Sequence, residues 1–133
     1  MIACVADASI LLKTILQEPD SEAAFDFLAR NPPAAPAVAR IEIVNVIRRL
    51  VVGRRHTIEE GRDAFETMMR RITLVPETDG QASFTLELAI ALDHSATDCR
   101  YLAAAAALDL PLYTADAAFA RKARAKGHDV RTP

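Results

Sequence analysis

Short apolar runs alternate with amphipathic stretches from one end of this sequence to the other. Residues 2–6 (IACVA) form a continuous apolar run that stops at Asp7, which suits a buried central strand. Further short strands are expected near 34–36, at 72–75 (ITLV), at 112–114 (LYT) and at about 129–131, the last on a sheet edge. Pro32, Pro33 and Pro36 put the second of these at an edge or at a strand end, where a missing N–H is tolerated. Helices fill the intervals. One covers 9–17 and ends at Glu18-Pro19; the next, capped by Asp20 or Ser21, runs to about Arg30 on a stripe of Ala24, Phe25, Phe27 and Leu28. The strongest helix pattern is 38–52, with Val44, Ile47 and Val51 sharing a face with Ile43 and Leu50 before Gly53. Thr57-x-x-Glu60 is a capping box for a helix to about Arg71. Asp79 is expected to cap a helix to about Leu92, Ser95-x-x-Asp98 to open one through Leu108, and Gly127 to end a last one over 116–126. Short strands alternating with helices or helix pairs are the pattern of an α/β domain with a parallel sheet covered on both faces.

The 133 residues fit one domain, 1–133, with no internal repeat, linker or low-complexity tail. A 51% hydrophobic, 26% charged chain can bury a core without staples. Cys4 and Cys99 are two distant thiols in apolar runs, read as buried and free in a reducing cytosol, and no Cys/His cluster has zinc spacing. The apolar N-terminus has no basic region ahead of it and is interrupted by Asp7, and no stretch offers eighteen uncharged apolar residues. A cytoplasmic protein without a membrane span is therefore expected. Five per cent aromatics and no Trp argue against base-stacking platforms, and a net charge of -2 argues against coating nucleic acid by bulk charge.

Sites in open parallel sheets form beyond the carboxyl ends of strands. Asp7 follows the first strand at once, and Asp116 follows the strand 112–114 after one residue. Asp98 lies in the first turn of a helix facing the same edge, and Glu42 in the first turns of the 38–52 helix, on a border stripe with Asn45 and Arg49. Four converging carboxylates repel: one like-charged pair 4 Å apart costs on the order of 4 kcal/mol at an effective dielectric of about 20. Two divalent cations would offset the four charges, and hard Mg²⁺ or Mn²⁺ suits an all-oxygen site. Such ions about 4 Å apart serve phosphodiester hydrolysis by activating water and stabilising the leaving oxygen. Without cations, clustering should raise some carboxyl pKa values.

Each acid also has a plainer role open to it. Asp7 and Asp116 could cap the helices that follow them, Asp98 could be the partner of Ser95 in a capping box, and Glu42 could pair with Arg48 or Arg49 on the surface. Ser9, Asn45 and Thr114 are candidates to support ligating oxygens or, for Asn45, a phosphate; local capping is the alternative. Arg48 and Arg49, with Arg54 and Arg55, gather positive charge at one helix end, and Arg121 and Lys122, with Arg124 and Lys126, near the C-terminus. A basic rim around an acidic centre draws phosphates in, although charge runs are commonly just solvated faces. His56, His94 and His128 are scattered and read as exposed, with none placed as a base.

With those residues in view, the chain resembles the PIN-domain superfamily, and within it the small VapC-type ribonuclease toxins of type II toxin–antitoxin systems. The resemblance rests on VADAS (5–9), RIEIVNVIRR (40–49), SATDCRYLAAAA (95–106) and LYTADAAFARKA (112–123), in order along the whole chain. It implies a three-layer α/β/α sandwich with a central parallel sheet of four to five short strands. It implies a Mg²⁺- or Mn²⁺-dependent endoribonuclease whose acids fall on Asp7, Glu42, Asp98 and Asp116, with Ser9, Asn45 and Thr114 in support. It also implies an RNA substrate, a homodimer and a cognate VapB-type antitoxin. The sequence departs from the pattern at Thr97, where an aromatic often stands, and at Cys99 and Arg100, where small apolar residues are usual.

The reading from another class is a catalytically silent module of the same fold that binds RNA or protein. A haloacid-dehalogenase-type phosphatase would want Asp-x-Asp after the first strand, where this chain has Asp7-Ala8-Ser9, and a response-regulator receiver would want an acidic pair there.

Overall fold

The computed structural model describes all 133 residues. Its elements run β1 (Cys4–Ala6), α1 (Ala8–Lys13), α2 (Ser21–Arg30), β2 (Pro33–Pro36), α3 (Val38–Val52), α4 (Ile58–Arg71), β3 (Thr73–Val75), α5 (Asp79–Leu92), α6 (Ala96–Leu108), β4 (Leu112–Tyr113), α7 (Ala117–Ala125) and β5 (Val130–Arg131). All strand pairs are parallel, in the order β3-β2-β1-β4-β5. Helices cover the sheet: α1 and α3, with α2 and α4 behind them, pack on β1 and β2, while α6, backed by α5, lies across β1, β2 and β4. This is the three-layer α/β/α arrangement.

The central strand is β1, buried along its whole length as a continuous apolar run demands. β2 is an interior strand, and its prolines sit at its two ends, Pro33 and Pro36, where the ladder loses least. Ala34 and Ala35 of β2 and Ala103, Ala104 and Ala105 of α6 are all buried, so small side chains let helix and sheet approach closely. Gly61 serves the same end between α3 and α4: a Cβ there would lie 3.0 Å from the Ile47 side chain and 3.1 Å from Val51.

Several boundaries differ from the sequence pattern for local reasons. Helix α1 stops at Lys13, short of Gln17, with Thr14 at its C-cap and the Thr14 hydroxyl donating to the Leu11 carbonyl at 2.7 Å. Neither Asp20 nor Ser21 caps α2 with its side chain: the Asp20 carboxylate accepts from Lys13 at 2.6 Å, and the Ser21 hydroxyl donates to the Leu16 carbonyl. Thr78 rather than Asp79 caps α5, in a reciprocal box with Gln81. The Thr57–Glu60 box forms as expected, at 2.8 and 3.1 Å. Phe25 is exposed rather than packed in the α2 stripe, and the Arg71 guanidinium lies 4.0 Å over its ring. On α3 the residues facing the core are Ala39, Ile43, Val46 and Leu50; Val44 is exposed, and Ile47 and Val51 turn toward α4. No helix is long and apolar enough to cross a membrane.

Candidate metal centre and its surroundings

Strand order reverses at β1. The chain passes from β1 outward to β2 and β3, then returns to place β4 and β5 on the other side. The carboxyl ends of β1 and β4 therefore flank a crevice of the kind that binds ligands in open α/β sheets. Asp7 leaves β1 at that edge, its N–H donating to the Tyr113 carbonyl at 3.1 Å. Its carboxylate caps α1, Oδ1 accepting the Ile10 N–H at 3.4 Å and the Ser9 hydroxyl. Ser9 also accepts the Ala115 N–H at 2.9 Å and lies 3.4 Å from the Thr114 hydroxyl, which in turn accepts the Asp116 N–H at 3.0 Å. Ser9 and Thr114 thus lace the segment after β1 to the segment after β4.

Asp7 is only 7% exposed. Burial raises its carboxyl pKa above the ordinary value; the bonds from Ser9, Thr114 and Ile10 oppose this, and the Asp98 charge adds to it.

Asp116 caps α7, its Oδ1 accepting the Phe119 N–H at 3.0 Å. The capping roles of Asp7 and Asp116 are real, and they do not compete with ligation, since a carboxylate offers two oxygens and about four acceptor sites. Asp98 behaves otherwise. Ser95 caps α6 by accepting the Asp98 N–H at 3.3 Å, but the Asp98 carboxylate does not complete a box; it meets His94 Nε2 at 2.8 Å. One donor atom each from His94, Asp98 and Asp116 lies within 4.8 Å of the others. Opposite ligands of an octahedral cation with bonds of about 2.1 Å stand roughly 4.2 Å apart, so this set needs only a small contraction to hold one. Carboxylates with one imidazole are a fitting donor set for Mn²⁺, and the carboxylates alone for Mg²⁺.

The reading of all three histidines as exposed is corrected: His56, His94 and His128 are each half-buried. His94 follows Asp93, which ends α5 in the left-handed conformation at φ +47°, and its ring packs on Phe119 at 4.5 Å between centroids. A histidine four residues ahead of Asp98 was the available signal, but it lies outside the helix, where spacing says little about direction.

Glu42 is half-buried on the second turn of α3 and makes no ion pair with Arg48 or Arg49. It accepts the Tyr101 hydroxyl at 2.7 Å. Tyr101, one turn beyond Asp98 on α6, is 1% exposed; burial pushes its hydroxyl pKa strongly up, as do the bond to Glu42 and the charges of Glu42 and Asp7. Tyr101 thus holds Glu42 from α6, a role the sequence pattern did not suggest. Glu42 is not among the three mutually close donors.

Asn45 and Arg49 are exposed on α3, and Arg48 is exposed at the rim of a cleft between α3 and α4. Arg121 is exposed on α7, and Lys122 donates to the Asp93 carbonyl at 3.1 Å, bracing the turn ahead of His94. Arg100 pairs with Glu77 at 2.8 Å, and Cys99 and Cys4 are buried free thiols. The α3–α4 cleft, about 360 Å³, is lined chiefly by Val44, Ile47, Val51, Ile58 and Phe65. Of the residues around it, Val52 is 71% and Ile58 57% exposed.

Among curated proteins, none matches the sequence. Among solved structures, the fold is similar to PAE2754 from Pyrobaculum aerophilum, with a TM-score of 0.71 at 16% identity, covering 91% of this chain and 79% of that one. It is also similar to VapBC2 from Rickettsia felis bound to a DNA fragment from their promoter, with a TM-score of 0.72 at 16% identity, covering 99% and 98% of the two chains. At that identity the likeness is one of fold. The model of the PIN domain matches residues 4–125, nearly the full length, with Asp7 near one end of the match and Asp116 near the other, and by that match the chain belongs to the PIN domain family.

Proposed function

We propose that this protein is a VapC-type toxin, a metal-dependent endoribonuclease that hydrolyses RNA phosphodiester bonds and is silenced by a cognate VapB-type antitoxin. The observation that carries the reading is the meeting of Asp98 and Asp116 within 4.8 Å, beside the buried Asp7, at the carboxyl edge where β1 and β4 part. Asp7, Asp98 and Asp116 would hold Mg²⁺ or Mn²⁺, with Glu42 closing the site from α3. When bound, the cation supplies the charge that activates water and stabilises the phosphate under attack.

The chain's own residues do the rest. Ser9 and Thr114 hold the Asp7 and Asp116 segments in register through the bonds described above. Tyr101 orients Glu42 by donating to it. Arg48, Arg49, Arg121 and Lys122 would attract the RNA backbone, with Asn45 in reach of a carboxylate or a phosphate. The antitoxin is assigned to the apolar α3–α4 cleft, because exposed hydrocarbon between two helices is the kind of surface a protein partner covers. A homodimer is part of the same reading.

The test is incubation of the purified protein with total cellular RNA, followed by mapping of cleavage sites. Cuts should need Mn²⁺ or Mg²⁺, disappear with EDTA, and disappear in Asp7→Asn while the variant keeps a cooperative melting transition. Cleavage that survives both EDTA and Asp7→Asn would overturn the reading.

A further inference from the structure

We propose that His94 is itself a ligand of the divalent cation, through Nε2, and that this nitrogen gives the site a preference for Mn²⁺ over Mg²⁺. The inference rests on the reading of Asp98 and Asp116 as ligands and extends it to a residue outside the acidic set.

The geometry points to ligation in three ways. First, Nε2 lies 2.8 Å from Asp98 Oδ2, and adjacent ligands of an octahedral cation with bonds of about 2.1 Å stand roughly 3.0 Å apart. Second, a ring nitrogen of His94 falls within 4.8 Å of a carboxylate oxygen of Asp98 and of one of Asp116, so the imidazole meets both carboxylates rather than Asp98 alone. Third, the ring is held in place. Its side chain is 16% exposed, Phe119 supports one side at 4.5 Å, and the turn before it is set by the left-handed Asp93, whose carbonyl accepts from Lys122 at 3.1 Å. A fixed imidazole aimed at two carboxylates is costly to arrange for solvent contact and useful for binding a cation. Imidazole nitrogen suits transition metals, whereas Mg²⁺ favours hard oxygen and retains its waters, so a nitrogen ligand tips selectivity towards Mn²⁺.

The experiment titrates Mn²⁺ into the full chain and reads nitrogen coupling by pulsed electron paramagnetic resonance. Wild type should show ¹⁴N modulation, changed to the ¹⁵N pattern when histidine is isotopically labelled; this measurement needs no variant to fold. In His94→Phe, which keeps a ring against Phe119, the modulation should vanish and the ratio of Mn²⁺ to Mg²⁺ affinity should fall on the order of tenfold. His56→Phe should change neither. Mn²⁺ bound in an Asp98-dependent way without nitrogen modulation, and with an unaltered affinity ratio in His94→Phe, would overturn the inference and leave the nuclease reading standing. If Mn²⁺ does not bind, or binds equally well to Asp98→Asn, the reading of the site falls and His94 falls with it.

Discussion

The crevice at the ends of β1 and β4 and the cleft between α3 and α4 are opposite solutions to the same folding problem. The crevice buries charge: Asp7 is 7% exposed, its carboxyl pKa is raised, and its carboxylate is held by Ser9 and the Ile10 N–H. The cleft exposes hydrocarbon: Val52 and Ile58 stand mostly in solvent, beside a floor of Ile47, Val51 and Phe65. Burying a carboxylate and leaving apolar side chains in water both cost folding free energy. The two costs call for different ligands. Converging negative charge selects a compact cation, and apolar surface between two helices selects another apolar surface. The contrast predicts that the two regions can be damaged independently.

The largest effect should come from the crevice. Asp98→Asn should lower RNA cleavage by at least about a hundredfold, because removing a metal ligand exceeds the ten- to hundredfold loss typical of residues that merely support one. The variant should keep a cooperative melting transition, since Asn preserves the shape of the side chain and can still bond His94. An active Asp98→Asn protein would break the comparison on its polar side.

Next in size is the cleft. Ile58→Asp and Val52→Asp change exposed residues, so fold and RNA cleavage should stay intact. Affinity for the antitoxin, measured by calorimetry, should drop by ten- to a hundredfold, equivalent to about 1.4–2.8 kcal/mol. Loss of cleavage in these variants would show that the regions are not separable.

Tyr101→Phe sharpens the boundary between them, because it removes the bond that ties α6 to Glu42 on α3. A hydrogen bond to a charged group contributes roughly 1.5–3 kcal/mol, and Glu42 keeps some access to water, so a loss near the lower end is expected in urea unfolding.

The smallest effect is on pH dependence. Asp7 has a folded pKa above its ordinary value of 3.8. Between those values the folded chain retains a proton that the unfolded chain has released, so its contribution to stability falls as pH rises through the window. Metal-free protein should gain stability as pH is lowered from 7 towards the ordinary carboxylate range, and Asp7→Asn should abolish that gain. Glu60 and Asp20 act in the other direction: their pKa values are lowered from 4.5 and 3.8, so stability they contribute at neutral pH is lost in stronger acid. Saturating Mn²⁺ should reverse the slope due to Asp7, because the cation competes with the proton. Thermal melts across pH, with and without Mn²⁺, read all three.

Much of this architecture was legible in advance because it is local. The apolar run before Asp7, the α3 pattern over 38–52 and the Thr57–Glu60 box are each written in a few consecutive residues, and each appears where expected. Helix ends were less legible where a side chain chose a distant partner over its own backbone. Asp20 took Lys13 instead of capping α2. The acids proposed for the site could be named in advance because strand ends and helix starts are local features. His94 and Tyr101 were not, because their importance lies in what they meet.

The alternation of strands and helices, the acids that punctuate it and the two unpaired buried thiols were all readable from the amino-acid order alone. These follow from propensity, periodicity and residue chemistry within windows of a few residues. Only the tertiary structure decided that β2 is interior, that Val44 and Ile58 share an open cleft, and that His94 turns inward to Asp98 while Glu42 is held by Tyr101. Those facts depend on which strands pair and how helices pack across the sheet, and such contacts join residues as far apart as Glu42 and Tyr101, which no local pattern encodes.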